Sequence, residues 1–137
     1  MLIVNFAKQI RSPMTEATQR SDAAVIIPMY NECENAAAII DAVLALPVPF
    51  DVLVIDDNSP DGTADIVKDK IRQYPGRVEI IERAGKLGLG TAYIEGFKHC
   101  LAKNYEFICE MDADFSHNPQ DLLRLRQTAI DDDADVV

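Results

Sequence analysis

From Ala23 onward, short unbroken apolar runs alternate with longer segments whose apolar residues recur at helical spacing. AAVIIP (23–28) and DVLVIDD (51–57) read as strands, as do VEIIER (78–83) and FICEMD (107–112). NAAAIIDAVLAL (35–46) reads as a helix that stops ahead of Pro47. TADIVKDKIRQY (63–74) is amphipathic, with Ile66, Val67 and Ile71 on one side. TAYIEGFKHCLAKN (91–104) is a third helix, in which Gly96 costs about 1 kcal/mol against alanine and implies close helix–sheet packing. Asn118 with Pro119 starts a fourth helix through LLRLRQ, and ADVV (134–137) opens a fifth strand. Strands with no polar alternation are buried on both faces, so the pattern predicts an α/β fold: an open parallel sheet with helices on both faces. Residues 1–22 read as a flexible leader, with Met14 a possible true start, and 23–137 as one unit cut short as its fifth strand begins.

Length and composition narrow the function. A chain of 137 residues, 48% apolar and 26% charged, can bury roughly two thirds of its unfolded surface without a disulfide or metal staple. Its formal charge of −10 argues against nucleic acid, which needs clustered Lys and Arg. Cys33, Cys100 and Cys109 have neither CxxC spacing nor an even count, so each packs as a small apolar residue in a reducing compartment. No apolar run approaches the roughly 20 residues of a spanning helix, and MLIVNFAKQIRSP is a poor signal peptide.

In an open parallel sheet, ligands bind beyond the carboxyl ends of the strands. Four segments meet there: Pro28 to Glu32, Asp56 to Thr63, Arg83 to Gly90, and Asp112 to Asp114. The Asp-x-Asp of 112 and 114 offers oxygen ligands suited to Mg²⁺ or Mn²⁺, although spacing alone favours a solvated turn. Of the adjacent pair, Asp56 is the better ligand candidate, while Asp57, Ser59 and Asp61 suit turns and caps. Gly85–Gly90 fits neither GxxxxGK[ST] nor GxGxxG, which disfavours a P-loop or dinucleotide enzyme. Its Lys86 can offer charge to a phosphate. His117 can be a metal contact or a plain loop residue, His99 faces solvent, and Asp131–Asp133 form a solvated run.

VIIPMYNECEN, VLVIDDNSPDGTA, GKLGLGTAYIEGFKH and EMDADFSHNP together resemble family 2 glycosyltransferases of the GT-A fold, and within them the dolichyl-phosphate (polyprenyl-phosphate) mannosyltransferases. The resemblance covers Ala24 to Pro119. It implies inverting transfer of mannose from GDP-mannose to a polyprenyl phosphate, giving a β-linked product, with Mg or Mn as cofactor. By motif it implies that Pro28, Tyr30 and Glu32 line the nucleotide pocket and that Val54 and Asp56 contact base and ribose. Asp112 and Ala113 would lie against the nucleotide, and Asp114 would ligate the metal. Ser116 stands where some relatives carry a glutamine ligand. The acceptor phosphate, with a second pKa near about 6, is already a nucleophile, so no general base is nominated. The resemblance also implies a cytoplasmic protein, peripheral at the cytoplasmic face of a membrane, with the rest of the sheet, the acceptor pocket and phosphate-holding basic residues beyond Val137, and a fragment that is inactive alone. Alternatives are a polyprenyl-phosphate glucosyltransferase, another family 2 transferase, a non-catalytic nucleotide-binding fragment, and a receiver-type signalling domain. The last needs a lysine late in the chain, and Lys103 already precedes the fourth strand.

Overall fold

A computed structural model describes residues 1–9 and 21–137. Its strands are β1 (Leu2–Asn5), β2 (Ala23–Met29), β3 (Phe50–Asp56), β4 (Val78–Glu82) and β5 (Phe107–Glu110). Its helices are α1 (Ala36–Leu44), α2 (Thr63–Gln73), α3 (Leu89–Ala102) and α4 (Asp121–Asp131), with a short 3₁₀ turn at Ala7–Gln9. The sheet order is β1-β5-β2-β3-β4. The four strands expected from apolar runs are parallel, and β1 pairs antiparallel to β5.

That order follows from connection handedness. From β2 the chain steps outward through α1 to β3 and through α2 to β4. It then returns through α3 to the far side of β2. Right-handed crossovers running in opposite directions put their helices on opposite faces. Accordingly Val25, Ile27, Val52 and Val54 pack with α1, α2 and α4 in the larger core. Ala24, Ile26, Leu53 and Ile55 pack with Ala92 and Cys100 of α3 in the smaller one. The direction of travel reverses between β2 and β5, and a crevice opens at such a switch point.

Two expectations are corrected. Residues 2–5 are not a loose leader but an edge strand, because Ile3 is fully buried and the Asn5 side chain donates to the Ala129 and Ala134 carbonyls. Met14 lies outside the described residues. The segment 134–137 does not extend the parallel sheet: Val136 makes one antiparallel bridge to Val4, on the outer side of β1.

The close packing inferred at Gly96 is present, since a Cβ there would stand 2.8 Å from two Ile26 side-chain carbons. No disulfide joins the three cysteines, and Cys100 and Cys109 are buried. No described helix is long and apolar enough to cross a membrane.

Candidate functional site

Beyond the ends of β2 and β3, a cleft of about 210 Å³ opens toward the start of α3. Pro28, Tyr30, Glu32 and Lys86 line it. The Lys86 ammonium lies 4.7 Å from the centre of the Tyr30 ring, a cation–π contact that holds the charge at the cleft wall. The turn after β2 is fixed from across the sheet. Asn31 is left-handed (φ 54°), and its amide donates to Ser59 Oγ at 3.0 Å. The Glu32 amide donates to Thr63 Oγ1 at 3.0 Å, and the Cys33 amide to Asp61 Oδ2 at 3.1 Å. Asp61 is brought down to about pH 2, chiefly by the Thr63 hydroxyl and further by the Cys33 and Thr63 amides, with burial opposing. The turn chemistry expected of Ser59 and Asp61 is therefore present, and it serves the neighbouring strand's loop.

The DD pair divides its work in the opposite sense from the sequence expectation. Asp56 is 1% exposed, and its two oxygens accept from Ser59 Oγ (2.6 Å) and Ser59 N (3.2 Å). Asp57 is the one that lines the cleft. Val54 is fully enclosed in the larger core and offers no surface to a base. The reason is strand parity: residues 52, 54 and 56 face α1 and α2, whereas 53, 55 and 57 face α3, where the cleft lies.

Asp57 is paired with Arg83, which sequence reading had not singled out. Arg83 Nε donates to Asp57 Oδ1 at 2.6 Å and Nη2 to Oδ2 at 2.8 Å, both buried. The same guanidinium donates to Thr91 Oγ1 (2.8 Å) and to the Gly88 carbonyl (3.2 Å). Hydrogen bonding to Asp57 raises the Arg83 pKa further against the cost of burial. Gly88 has φ 103°, a conformation that a side chain would strain, and α3 begins at once after it. The helix therefore starts two residues before the expected Thr91.

The segment after β5 lies on the other side of β2. The β2–β5 register pairs Ile26 with Glu110. The Met111 amide then donates to the Ile26 carbonyl at 3.1 Å. Tyr93 Oη donates to Asp112 Oδ1 at 3.4 Å. Burial, then the charges of Asp112 and Glu110, push that phenol well above its ordinary range, so it stays a donor. Ala113 is buried and Asp114 is exposed. The Asp114 Oδ1 accepts from the Ser116 amide at 2.9 Å, and Ser116 holds the carboxyl below its usual range. The His117 Nε2 lies 3.3 Å from the N-terminal amine. Among the described residues no three His, Cys, Asp or Glu side chains converge. Mg²⁺ or Mn²⁺ needs only one or two protein carboxylates beside substrate phosphates, and the exposed Asp114 carboxylate is of the right chemistry to be one.

Residues 24–137 match the family model described as glycosyl transferase family 2. The chain is 44% identical over 119 residues to polyprenol monophosphomannose synthase of Mycolicibacterium smegmatis, covering 87% of this chain and 44% of that protein. It is 44% identical over 100 residues to undecaprenyl-phosphate mannosyltransferase of Micrococcus luteus, covering 73% and 41%. The chain thus spans less than half the length of these relatives. Among solved structures it resembles a mannosyltransferase from Pyrobaculum calidifontis in complex with GDP-Man and Mn²⁺, with a TM-score of 0.54 and 26% identity over 68% of this chain and 29% of that one. An open, mostly parallel α/β sheet of GT-A type and a family match over most of its length lead to one conclusion: the chain belongs to glycosyl transferase family 2.

Proposed function

We propose that this chain is the donor-binding part of an enzyme that transfers mannose from GDP-mannose to a polyprenyl phosphate, with inversion, at the cytoplasmic face of a membrane. The observation that carries the reading is the cleft beyond the carboxyl ends of β2 and β3, walled by Pro28, Tyr30, Glu32, Asp57 and Lys86, in a chain 44% identical to two polyprenyl-phosphate mannosyltransferases.

The residues suit this chemistry. A phosphate acceptor is ionised near neutrality and needs no base to activate it. The chain's task is then to seat the donor and steady the departing diphosphate. Tyr30 offers a face to a ring, the Asp57 carboxylate accepts hydrogen bonds, and Lys86 brings a positive charge to the same wall. Asp112 and Asp114 stand where a strand end meets the crevice, and Asp114 would hold the divalent cation, Mg²⁺ or Mn²⁺. Such a cation supplies Lewis-acid neutralisation of the diphosphate charge.

Calorimetry tests the reading directly. GDP is expected to bind the wild-type chain more tightly than UDP, and more tightly with Mn²⁺ than without. Asp114→Ala should abolish the Mn²⁺ increment and leave the metal-free affinity unchanged. Preference for UDP would redirect the donor assignment, and a Mn²⁺ increment that survives Asp114→Ala would sink the metal assignment.

A further inference from the structure

We propose that Arg83 is a positioning residue: its guanidinium clasps Asp57, Gly88 and Thr91 and thereby sets the α3-side wall of the cleft and the nucleotide's seat. The proposal rests on the nucleotide-binding reading above. Arg83 follows β4 directly and is buried, with its side chain 3% exposed. It does not itself line the cleft, but two of the three groups it holds, Asp57 and Gly88, do, and the third, Thr91, stands in the first turn of α3 between the lining residues Leu89 and Ala92. The two-pronged pair to Asp57 (2.6 and 2.8 Å) fixes the carboxylate at the end of β3. The bonds to Thr91 Oγ1 (2.8 Å) and Gly88 O (3.2 Å) fix the first turn of α3. The Arg83 amide also donates to Asp56 O at 2.8 Å, so main chain and side chain act together. Thr91 Oγ1 closes the ring of contacts on the Leu87 and Gly88 carbonyls at 2.9 and 2.8 Å.

Stability alone is a poor reason for this arrangement. Desolvating such a pair costs several kcal/mol, and an apolar replacement of both partners is often as stable. What a buried guanidinium supplies is geometry, because its planar fork holds several acceptors at fixed angles and a lysine cannot. The loop 85–90 needs that geometry. Three of its six residues are glycine, and Lys86 and the exposed Leu87 and Leu89 sit between them. Tied at Gly88 and Thr91, the loop delivers Lys86 to the cleft at the Tyr30 ring.

The test uses the chain itself, as wild type, Arg83→Lys and Thr91→Val. Amide hydrogen exchange is read without ligand at residues 85–91 and in β2 and β3, and GDP affinity is read by calorimetry. Each substitution is expected to speed exchange at 85–91 and to weaken GDP by about tenfold or more, while β2 and β3 exchange as in wild type. Thr91→Val keeps shape and removes only the hydroxyl, so it decides the matter if Arg83→Lys does not fold. Unchanged exchange at 85–91 overturns the clasp. Faster exchange with GDP affinity within about twofold of wild type overturns its role in seating the nucleotide. A wild-type chain that binds no GDP overturns the nucleotide reading itself, and exchange at 85–91 still decides the clasp.

Discussion

Gly96 lies where α3 crosses the centre of the sheet, and the three atoms nearest an added methyl all belong to Ile26. Ile26 is β-branched, fully buried and on a strand with a neighbour on each side, so it has little freedom to turn away. Alanine is the better helix former by about 1 kcal/mol. Overpacking costs typically 1–3 kcal/mol. We expect Gly96→Ala to lower stability in urea by about 1–2 kcal/mol, and Ile26→Val to return part of that loss when the two are combined. A neutral or stabilising Gly96→Ala would show that α3 can ride further from the sheet than its packing implies. Gly96 was legible in the sequence because a glycine inside an amphipathic helix is anomalous. Asp57 was less so. Two adjacent acids at a strand end present opposite faces, and choosing between them takes knowledge of which face the cleft uses. Parity with Leu53 and Ile55 is the signal that picks Asp57, but it has meaning only once α3 is known to stand alone on that side.

At the scale of elements, the apolar runs marked β2 to β5 to within a few residues, most plainly for β2 and β3, where burial on both faces removes any competing pattern. The short β1 escaped for the opposite reason. Four residues with alternating burial, followed by charged and polar sequence, look like a frayed terminus unless the partner strand is known. If β1 is an integral edge, Ile3→Ala should cost about 2–4 kcal/mol in urea unfolding, as for other buried Ile to Ala changes. A loose leader would show no difference. The pairing also settles why ADVV is not a fifth parallel strand. The position beside β5 is already taken by β1, and Val136 can reach only the outer side of Val4. The helix after Pro119 begins later than its cap residue suggests, since Asn118 Oδ1 accepts from the Gln120 amide and spends one turn on 3₁₀-like bonds before α4 proper.

For the molecule as a whole, acid stability follows from a cross-link between β4 and α3. Burial tends to raise the Glu79 pKa, but hydrogen bonds from Lys103 and His99 outweigh it and leave the carboxyl below its ordinary range. A depressed carboxyl stabilises the fold above its unfolded value of about 4.3 and loses that contribution as pH falls through the lower folded value. Glu106 and Glu110 are shifted upward by burial and act with the opposite sign. Comparing wild type with Glu79→Gln separates them. The two should differ most near neutral pH and converge below pH of about 4, as followed by thermal unfolding. A constant gap across that range would mean Glu79 contributes through packing rather than charge.

Residues 3–5 and 135–137 meet in a single ladder. Ile3 N donates to Val137 O at 3.2 Å, Val137 N to Ile3 O at 3.1 Å, and Asn5 N to Asp135 O at 2.8 Å. Because the strands run antiparallel, Met1 and Val137 project from the same end of that ladder. A force that draws them apart would therefore meet these bonds one after another instead of all together, and the molecule would open like a zip. The core of β2, β3 and β5 would feel the load only after β1 had peeled away, so a mechanically soft seam shields the cleft beyond β2 and β3 from tension applied at residues 1 and 137.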